Sequence, residues 1–207
     1  MAFNPLRRAA LAFLALVIAA PAGPVAAARE TAFPAMSEEA LAPRVAPAGY
    51  DVTVIVFSDY NCPYCRRLHG TLTQLLARDR KVRVVWRDWP ILGETSVLAA
   101  RAAVASQWQG RHGAFNAALF AQPGRLTPAG IAAAARAAGV DWGRLQHDLQ
   151  ARGREIDRLL ARSDAGARML AFDGTPGLVV GNARLGGAPS LEQLQEAIAQ
   201  ARLEGVG

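Results

Sequence analysis

The chain has two cysteines, Cys62 and Cys65, and only Pro63 and Tyr64 separate them. Two thiols at this spacing can cycle between a dithiol and a disulfide, or bind a soft metal ion through their thiolates. A structural disulfide is disfavoured, because the stabilisation from cross-linking grows with loop length and this loop is very short. The spacing therefore favours redox exchange, with metal binding as the alternative.

The elements around the cysteines place them where a strand passes into a helix. Residues 52–57 form an apolar, β-branched run that predicts a buried strand, and Pro63 suits the first turn of a helix. That first turn has free N–H groups and the positive end of the helix dipole, which stabilise a thiolate. The helical periodicity predicts a buried Cys65 and an exposed Cys62, which suits one resolving and one attacking sulfur. Four leucines mark the buried face of this helix: Leu68, Leu72, Leu75 and Leu76.

The N-terminal residues have the pattern of an export signal. Arg7 and Arg8 precede an apolar run at 9–20, which is too short to span a membrane, and a small-residue cleavage pattern ends at Ala28. We therefore predict a cleaved signal peptide over 1–28 and a periplasmic protein, where disulfides persist. Residues 29–50 are predicted to be a flexible leader or a short edge strand. They are too short for a long oligomerisation stalk, so we expect a monomer.

Composition excludes one class of partner. The formal net charge is +6, but the basic residues are spread along the chain and no basic run alternates with aromatic residues. Nucleic-acid binding is therefore not expected.

Further elements complete a β-α-β unit and then change character. Residues 81–86 predict a second strand, parallel to the first. Residues 93–171 then predict helices with no strand between them. The predicted helices cover 96–109, 113–121, a segment from Pro128 to Gly139 with Thr127 as its N-cap, a segment capped by Asp141 that ends at Gly153, and 154–171.

Strands return after this helical segment. Residues 178–180 and 183–185 predict a hairpin around Gly181 and Asn182, and Ser190 with Gln193 predicts a capping box on a last helix. The predicted fold class is α/β, a thioredoxin-like fold with an inserted all-helical subdomain. Residues 51–92 and 172–205 would form the thioredoxin-like domain, and 93–171 the insert.

Three motifs resemble the DsbA family of exported thiol–disulfide oxidoreductases. They are F-S-D-Y-N-C-P-Y-C at 57–65, W-P-I-L-G at 89–93 and G-T-P-G at 174–177. The resemblance implies catalytic roles for Cys62 and Cys65, and a cis-proline at Pro176 beside them. It also implies no cofactor, exported cysteine-containing proteins as substrates, and a membrane redox partner for recycling.

The residues between and opposite the cysteines differ from the best-known oxidases of that family. Pro63 and Tyr64, which the resemblance makes redox-tuning and substrate-binding residues, are similar to those of ScsC-like and glutaredoxin-like members. Thr175 before Pro176 shares this similarity. The direction of exchange, as disulfide oxidase or as isomerase or reductase, therefore stays open.

A different class of function uses the same thiols. With His69, the cysteines form a C-x-x-C-x3-H pattern whose soft ligands suit Cu(I), so a copper-binding or copper-protective protein is the alternative. No second ligand pair accompanies this pattern, so we predict no metal site and interpret His69 as structural. Asp59 is interpreted as a turn or cap residue in preference to a base. The tryptophans are interpreted as packing residues: Trp86, Trp89, Trp108 and Trp142.

Overall fold

The computed structural model describes residues 35–206, so the predicted signal peptide over 1–28 lies outside the described residues. Five strands form one mixed sheet in the order β1-β3-β2-β4-β5. Strands β2 and β3 are parallel, as predicted, and the other neighbours pair antiparallel. The strands are β1 Arg44–Val45, β2 Val52–Ser58, β3 Val82–Asp88, β4 Gly177–Val180 and β5 Ala183–Gly186.

Helices flank the sheet and fill the segment between β3 and β4. Helix α1 follows β2, four α-helices and a 3-10 turn at Gln107–Gln109 form the insert, and one helix ends the described chain. None of the helices in residues 35–206 is both long enough and apolar enough to cross a membrane. The α-helices are α1 Pro63–Arg78, α2 Glu94–Ser106, α3 His112–Ala121, α4 Pro128–Ala137, α5 Trp142–Met169 and α6 Leu191–Glu204.

Strand β2 has apolar side chains on both faces, because helices cover both faces of the sheet. Val54 and Val56 pack with the leucines of α1 and with Leu194 of α6. Ile55 and Phe57 point the other way and pack with the C-terminal end of α5. A further core fills the helical insert and reaches the two cysteines. The structure therefore confirms a thioredoxin-like sheet with an all-helical insertion.

Local signals set several element ends as predicted. The Thr127 and Asp141 side chains cap α4 and α5, and Ser190 and Gln193 form the reciprocal capping box of α6. The hairpin turns at Gly181, whose φ of +53° lies in the left-handed region that favours glycine.

One expectation needs correction. Gly153 does not end a helix, because α5 continues through it to Met169. A Cβ at Gly153 would lie 2.8 Å from the Arg101 guanidinium, which crosses the helix there to pair with Asp157. Of the two alternatives predicted for residues 29–50, the described part from residue 35 shows the short edge strand, β1, and the side chains of Met36 and Ala42 are buried.

Strand β3 has buried polar residues on both of its faces. On the face toward α5, the Arg87 guanidinium donates to Ser163 Oγ at 3.2 Å and to the Met36 carbonyl at 3.3 Å. Arg83 is buried on the same face and pairs with Glu38 at 2.6 Å. On the opposite face, Asp88 ends the strand.

Candidate functional site

Cys62 is the N-cap residue of α1. Its backbone is extended, with φ −81° and ψ 121°, and Pro63 follows in the first turn. The Cys62 N–H donates to the Asp59 carbonyl at 3.0 Å, and the Cys62 carbonyl accepts the first helical hydrogen bond from Arg66 at 3.1 Å. The sulfur therefore sits at the positive end of α1, as the sequence predicted.

A loop from the far end of the chain covers this sulfur. The Cys62 thiol donates to the Thr175 carbonyl at 3.2 Å, and the Thr175–Pro176 peptide bond is cis. The Gly187 N–H donates to the Pro176 carbonyl at 2.9 Å, which ties the loop to the end of β5. The structure thus brings together the two segments that the sequence motifs singled out.

Cys62 is less accessible than predicted. Only 6% of the residue is exposed, whereas the helical periodicity predicted an exposed residue. The prediction considered α1 alone and could not include the Thr175–Pro176 loop, which lies more than a hundred residues away in sequence. Tyr64, in contrast, is 52% exposed beside it.

Cys65 is buried as predicted, with 1% exposed. The Asp59 N–H donates to its Sγ at 3.4 Å. Burial raises the pKa of the Cys65 thiol, and the charge of Cys62 acts in the same direction. The buried Cys65 thiol therefore holds its proton. Neither cysteine is joined in a disulfide in this structure.

Asp59 organises the turn before Cys62. Its carboxylate accepts hydrogen bonds from the Asn61 N–H at 2.7 Å, the Leu92 N–H at 2.9 Å and the Ser96 hydroxyl at 2.7 Å. These donors occupy both carboxylate oxygens. This geometry agrees with the interpretation of Asp59 as a turn residue.

The Asn61 side chain links the same turn to the helical insert. Its amide donates to the hydroxyl groups of Thr95 and Ser96 at 3.0 and 2.9 Å, and its carbonyl accepts from the Leu126 N–H at 2.7 Å. The insert is therefore bonded directly to the segment that carries the dithiol.

A groove lies beside the cis-proline loop. Its volume is about 480 Å³, and it contains the exposed ring of Tyr64 and the Arg184 guanidinium. Arg67 lies over the Tyr64 ring at 4.3 Å. Aromatic and charged residues both line this groove. Other lining residues are Phe172, Asp173, Thr175 and Pro176.

The histidine of the C-x-x-C-x3-H pattern has a packing role. The His69 ring stacks on Phe120 with centroids 5.1 Å apart, and burial lowers its pKa. Within residues 35–206, no three His, Cys, Asp or Glu side chains are grouped closely enough to hold a metal ion. The geometry thus agrees with His69 as a structural residue.

Sequence reasoning missed two buried polar side chains near Cys65. Tyr60 is 1% exposed and Asp88 is 2% exposed. Among residues 35–206, neither side chain makes a hydrogen bond of normal geometry. The available signal was the strand pattern: Asp88 follows Val82, Val84 and Trp86 on the inward face of β3, where an apolar residue is expected.

A dithiol at the start of a helix, closed over by a cis-proline loop and carried on this sheet, defines a thioredoxin-like protein. The DSBA-like thioredoxin domain model matches residues 53–199. The chain therefore belongs to the DSBA-like thioredoxin domain family.

Solved structures agree with this assignment. A thioredoxin-like oxidoreductase from Silicibacter pomeroyi DSS-3 is 42% identical, covers 82% of this chain and 97% of its own, and superimposes with a TM-score of 0.78. The catalytic domain of Proteus mirabilis ScsC covers 84% of this chain and 96% of its own, with 24% identity and a TM-score of 0.72. At that identity the second likeness concerns the fold alone.

Curated relatives include a much longer protein. The Na(+)/H(+) antiporter NhaA 1 of Salinispora arenicola is 31% identical over 77% of this chain. The chain spans only 24% of the length of that relative. The likeness therefore extends to one part of the antiporter.

Proposed function

We propose that the protein is a periplasmic thiol–disulfide oxidoreductase that exchanges disulfides with exported, cysteine-containing proteins through Cys62 and Cys65. The contact between Cys62 Sγ and the Thr175 carbonyl, 3.2 Å long and beside a cis-proline, carries the proposal. It joins a reactive sulfur to a backbone segment against which a client chain can align.

In the oxidising direction, a client thiolate attacks Cys62 Sγ of the Cys62–Cys65 disulfide. The bond between the two enzyme sulfurs breaks, Cys65 leaves as a thiolate, and a mixed disulfide joins Cys62 to the client. A second client thiolate then attacks the client sulfur of that bond. The client gains a disulfide, and Cys62 leaves as a thiolate of the reduced enzyme. Two electrons pass from the client to the enzyme.

The reducing or isomerising direction runs through the same mixed disulfide. The Cys62 thiolate attacks a client disulfide, and one client sulfur leaves. Cys65 then attacks Cys62 and releases the second client sulfur. The relative reduction potentials decide which direction prevails, and about 30 mV corresponds to roughly a tenfold change in the equilibrium constant. Pro63 and Tyr64 are the first two residues of α1. We propose that they tune this reduction potential.

We assign client binding to the groove beside Cys62. Thr175 and Pro176 present backbone for an extended client segment, and the half-exposed Tyr64 ring supplies apolar surface. A separate membrane redox partner would restore the starting oxidation state. We also propose export through a cleaved signal peptide over 1–28, and action as a monomer.

The test measures disulfide exchange by the wild type and by two variants, Cys62→Ser and the control Glu196→Gln, each of which replaces a side chain with one of nearly the same size. Wild-type protein and Glu196→Gln, a change at an exposed acid on α6, should catalyse insulin reduction by dithiothreitol. Cys62→Ser should lose at least about 100-fold of that rate, because the attacking sulfur is gone. The equilibrium constant with glutathione then gives the direction. A Cys62→Ser variant that retains the wild-type rate would refute the proposal.

The copper-binding alternative has its own outcome. Stoichiometric Cu(I) binding, measured by competition with a chromophoric chelator, together with no exchange of client disulfides, would replace the redox proposal by the copper-binding one. Disulfide exchange with weak Cu(I) competition supports the redox proposal.

A further inference from the structure

Two arginines stand at the groove beside the cis-proline loop, and no acid neutralises either of them. The Arg67 guanidinium lies over the exposed Tyr64 ring at 4.3 Å. The Arg184 guanidinium donates to the Leu170 carbonyl and lies 5.6 Å from the centre of the Phe172 ring. Neither arginine forms an ion pair among residues 35–206. Neutral groups therefore hold both guanidinium groups in place, and their positive charge is left uncancelled.

A second pair of arginines lies on the other side of the redox turn, toward the helical insert. Arg66, whose N–H donates to the Cys62 carbonyl, also donates through its guanidinium to the Gly124 carbonyl at 3.1 Å. The Arg125 guanidinium donates to the Leu92 carbonyl at 2.9 Å. In the part of the chain that the structure describes, no acid forms an ion pair with either arginine. This side of the site therefore also carries fixed positive charge.

Both pairs are tied to segments that contact the redox turn. Arg184 lines the same groove as Thr175, whose carbonyl contacts Cys62 Sγ. Asn61, the residue before Cys62, accepts a hydrogen bond from the loop between α3 and α4, which carries Arg125. The reactive sulfur therefore has arginines on two sides, one pair on the groove side and one pair on the insert side.

Acidic side chains at this surface are fewer than the arginines. Asp173 lines the groove, and Glu94 lies in the first turn of α2. Both are exposed, and neither forms an ion pair among residues 35–206. Asp59, in the turn before Cys62, is buried, and hydrogen bonds occupy its carboxylate oxygens. A client that brings carboxylates to this surface would therefore meet unpaired guanidinium groups.

Fixed guanidinium groups of this kind suit one chemistry of client. A guanidinium binds a carboxylate through paired, charge-assisted hydrogen bonds. A side chain that is already held in position loses little conformational freedom on binding, which favours affinity. Opposite charge also raises the rate at which the two partners meet. An extended client segment with acidic side chains on either side of its cysteine would satisfy both pairs of arginines.

We propose that the protein prefers clients whose reacting cysteine is flanked by Asp or Glu residues. Arg67 and Arg184 bind the carboxylate on the groove side, and Arg66 and Arg125 bind the one on the insert side. The inference rests on the proposed function, because it names the class of client for the same site. These arginines touch neither sulfur of the dithiol, so they determine specificity and take no part in the exchange of bonds.

The test compares three peptide dithiols of one sequence, in which two Glu, two Gln or two Lys residues flank the first cysteine. Each peptide reduces the Cys62–Cys65 disulfide, acid-quenched samples are separated by chromatography, and each rate constant is corrected for the thiolate content of the peptide. In about 20 mM salt, the Glu peptide should react about tenfold faster than the Gln peptide, and the Lys peptide slowest. In about 0.5 M salt, the Glu-to-Gln ratio should fall to about twofold, because salt screens the charges.

A double variant assigns the preference to the groove-side pair. Arg67→Gln combined with Arg184→Gln should lower the Glu-to-Gln rate ratio from about tenfold to about threefold. Arg78→Gln is the matched control and should keep the wild-type ratio, because Arg78 is exposed and ends α1, roughly 16 Å of helix beyond Arg67. Each ratio is measured within one protein, so a variant that folds less well lowers both rates alike. Equal rates for the Glu and Gln peptides in the wild type, or an unchanged ratio in the double variant, would overturn the proposal.

A binding measurement separates this inference from the proposed function. The same peptides with serine in place of both cysteines cannot exchange disulfides. In fluorescence anisotropy, the Glu peptide should bind the wild type about tenfold more tightly than the Gln peptide, and the double variant should lose most of this difference. Tighter binding of the Glu peptide without any disulfide exchange would refute only the proposed function. Equal binding of the Glu and Gln peptides would overturn the inference and leave the exchange activity standing.

Discussion

The two faces of β3 treat buried charge in opposite ways. Toward α5, Arg83 and Arg87 are buried and bonded: Arg83 to Glu38 and Thr53, and Arg87 to Ser163 and the Met36 carbonyl. Toward α1, Asp88 is buried, and its carboxyl oxygens have no hydrogen-bond partner in the part of the chain that the structure describes. On the bonded face, Arg83 and Arg87 hold the segment before β1 against the sheet through Glu38 and the Met36 carbonyl, so their role is structural. The unbonded face is the one that packs against α1, the helix that carries Cys65.

The largest effect on stability should come from replacing the Asp88 carboxyl. The pKa of Asp88 is raised from 3.8 to about 8, so the folded state binds the extra proton between these values and the free energy of unfolding falls as pH rises through this range. The full linkage limit at pH 9 is about 6 kcal/mol. Asp88→Asn should therefore be more stable than wild type at pH 9 and lose this slope. Urea unfolding from pH 4 to 9 measures it, and equal slopes would contradict the comparison.

The bonded face should respond in the opposite sense. Arg87→Ala should lower the free energy of unfolding by about 4 kcal/mol, because it leaves a cavity and two unpaired acceptors at Ser163 and Met36. Arg154→Ala, on an exposed position of α5, is the matched control and should change stability by less than about 0.5 kcal/mol. Urea unfolding at pH 7 measures both. A loss for Arg87→Ala no larger than for the control would show that the bonds of this face contribute little.

His112, a buried base that packs on the α1 side of the sheet, should make stability depend on pH in the acid range. The His112 ring packs against Trp86 at a tilted angle, with centroids 5.3 Å apart, and burial lowers the pKa of His112 from 6.5 to about 4. The unfolded chain binds the proton first, so stability is lost as pH falls from 6.5 to 4, by about 3 kcal/mol at the lower limit. His112→Phe should retain its stability over that range in thermal unfolding. A variant whose melting temperature drops with acid as steeply as that of the wild type would contradict this assignment.

The smallest effect should come from an ion cluster that is bonded but half-exposed. Arg202 of α6 donates to Asp51 at 2.8 Å and to Asp79 at 2.9 Å, and this contact lowers the pKa of Asp79. Solvent screens such pairs, so Arg202→Ala should cost about 1 kcal/mol or less, and less still at 1 M salt. Chemical unfolding at two salt concentrations checks this, and a salt-independent loss would indicate packing instead.

Local patterns carried most of the prediction. The start of α1, the parallel β2–β3 pair, the hairpin at Gly181 and the capping box at Ser190 each follow from a few neighbouring residues. The errors arose where distant contacts override local signals. Gly153 lies inside α5 because the Arg101 side chain crosses there, and one helical glycine costs only about 1 kcal/mol relative to alanine.

The site was predictable in its members and less so in its environment. Both sulfurs, Thr175 and Pro176 were found from motifs, and the structure brings Cys62 and Thr175 into contact. The burial of Cys62 depends on a loop that closes over it from the other end of the chain. The exposed state of Tyr64 and the unbonded state of Asp88 depend on three-dimensional packing that no spacing rule encodes.

The Asn61 side chain makes the redox turn and the helical insert interdependent. One amide reaches the start of α2, and its carbonyl oxygen accepts the Leu126 N–H just before α4. Exchanging the insert for that of a relative would therefore break the Asn61 hydrogen bonds to Thr95 and Leu126. The turn that precedes Cys62 would lose its attachment to the insert. Loss of the Asn61 contact would speed hydrogen exchange at the Leu126 amide, whose N–H donates to the Asn61 carbonyl. The exchange rate of this one amide therefore reports whether the turn and the insert remain bonded.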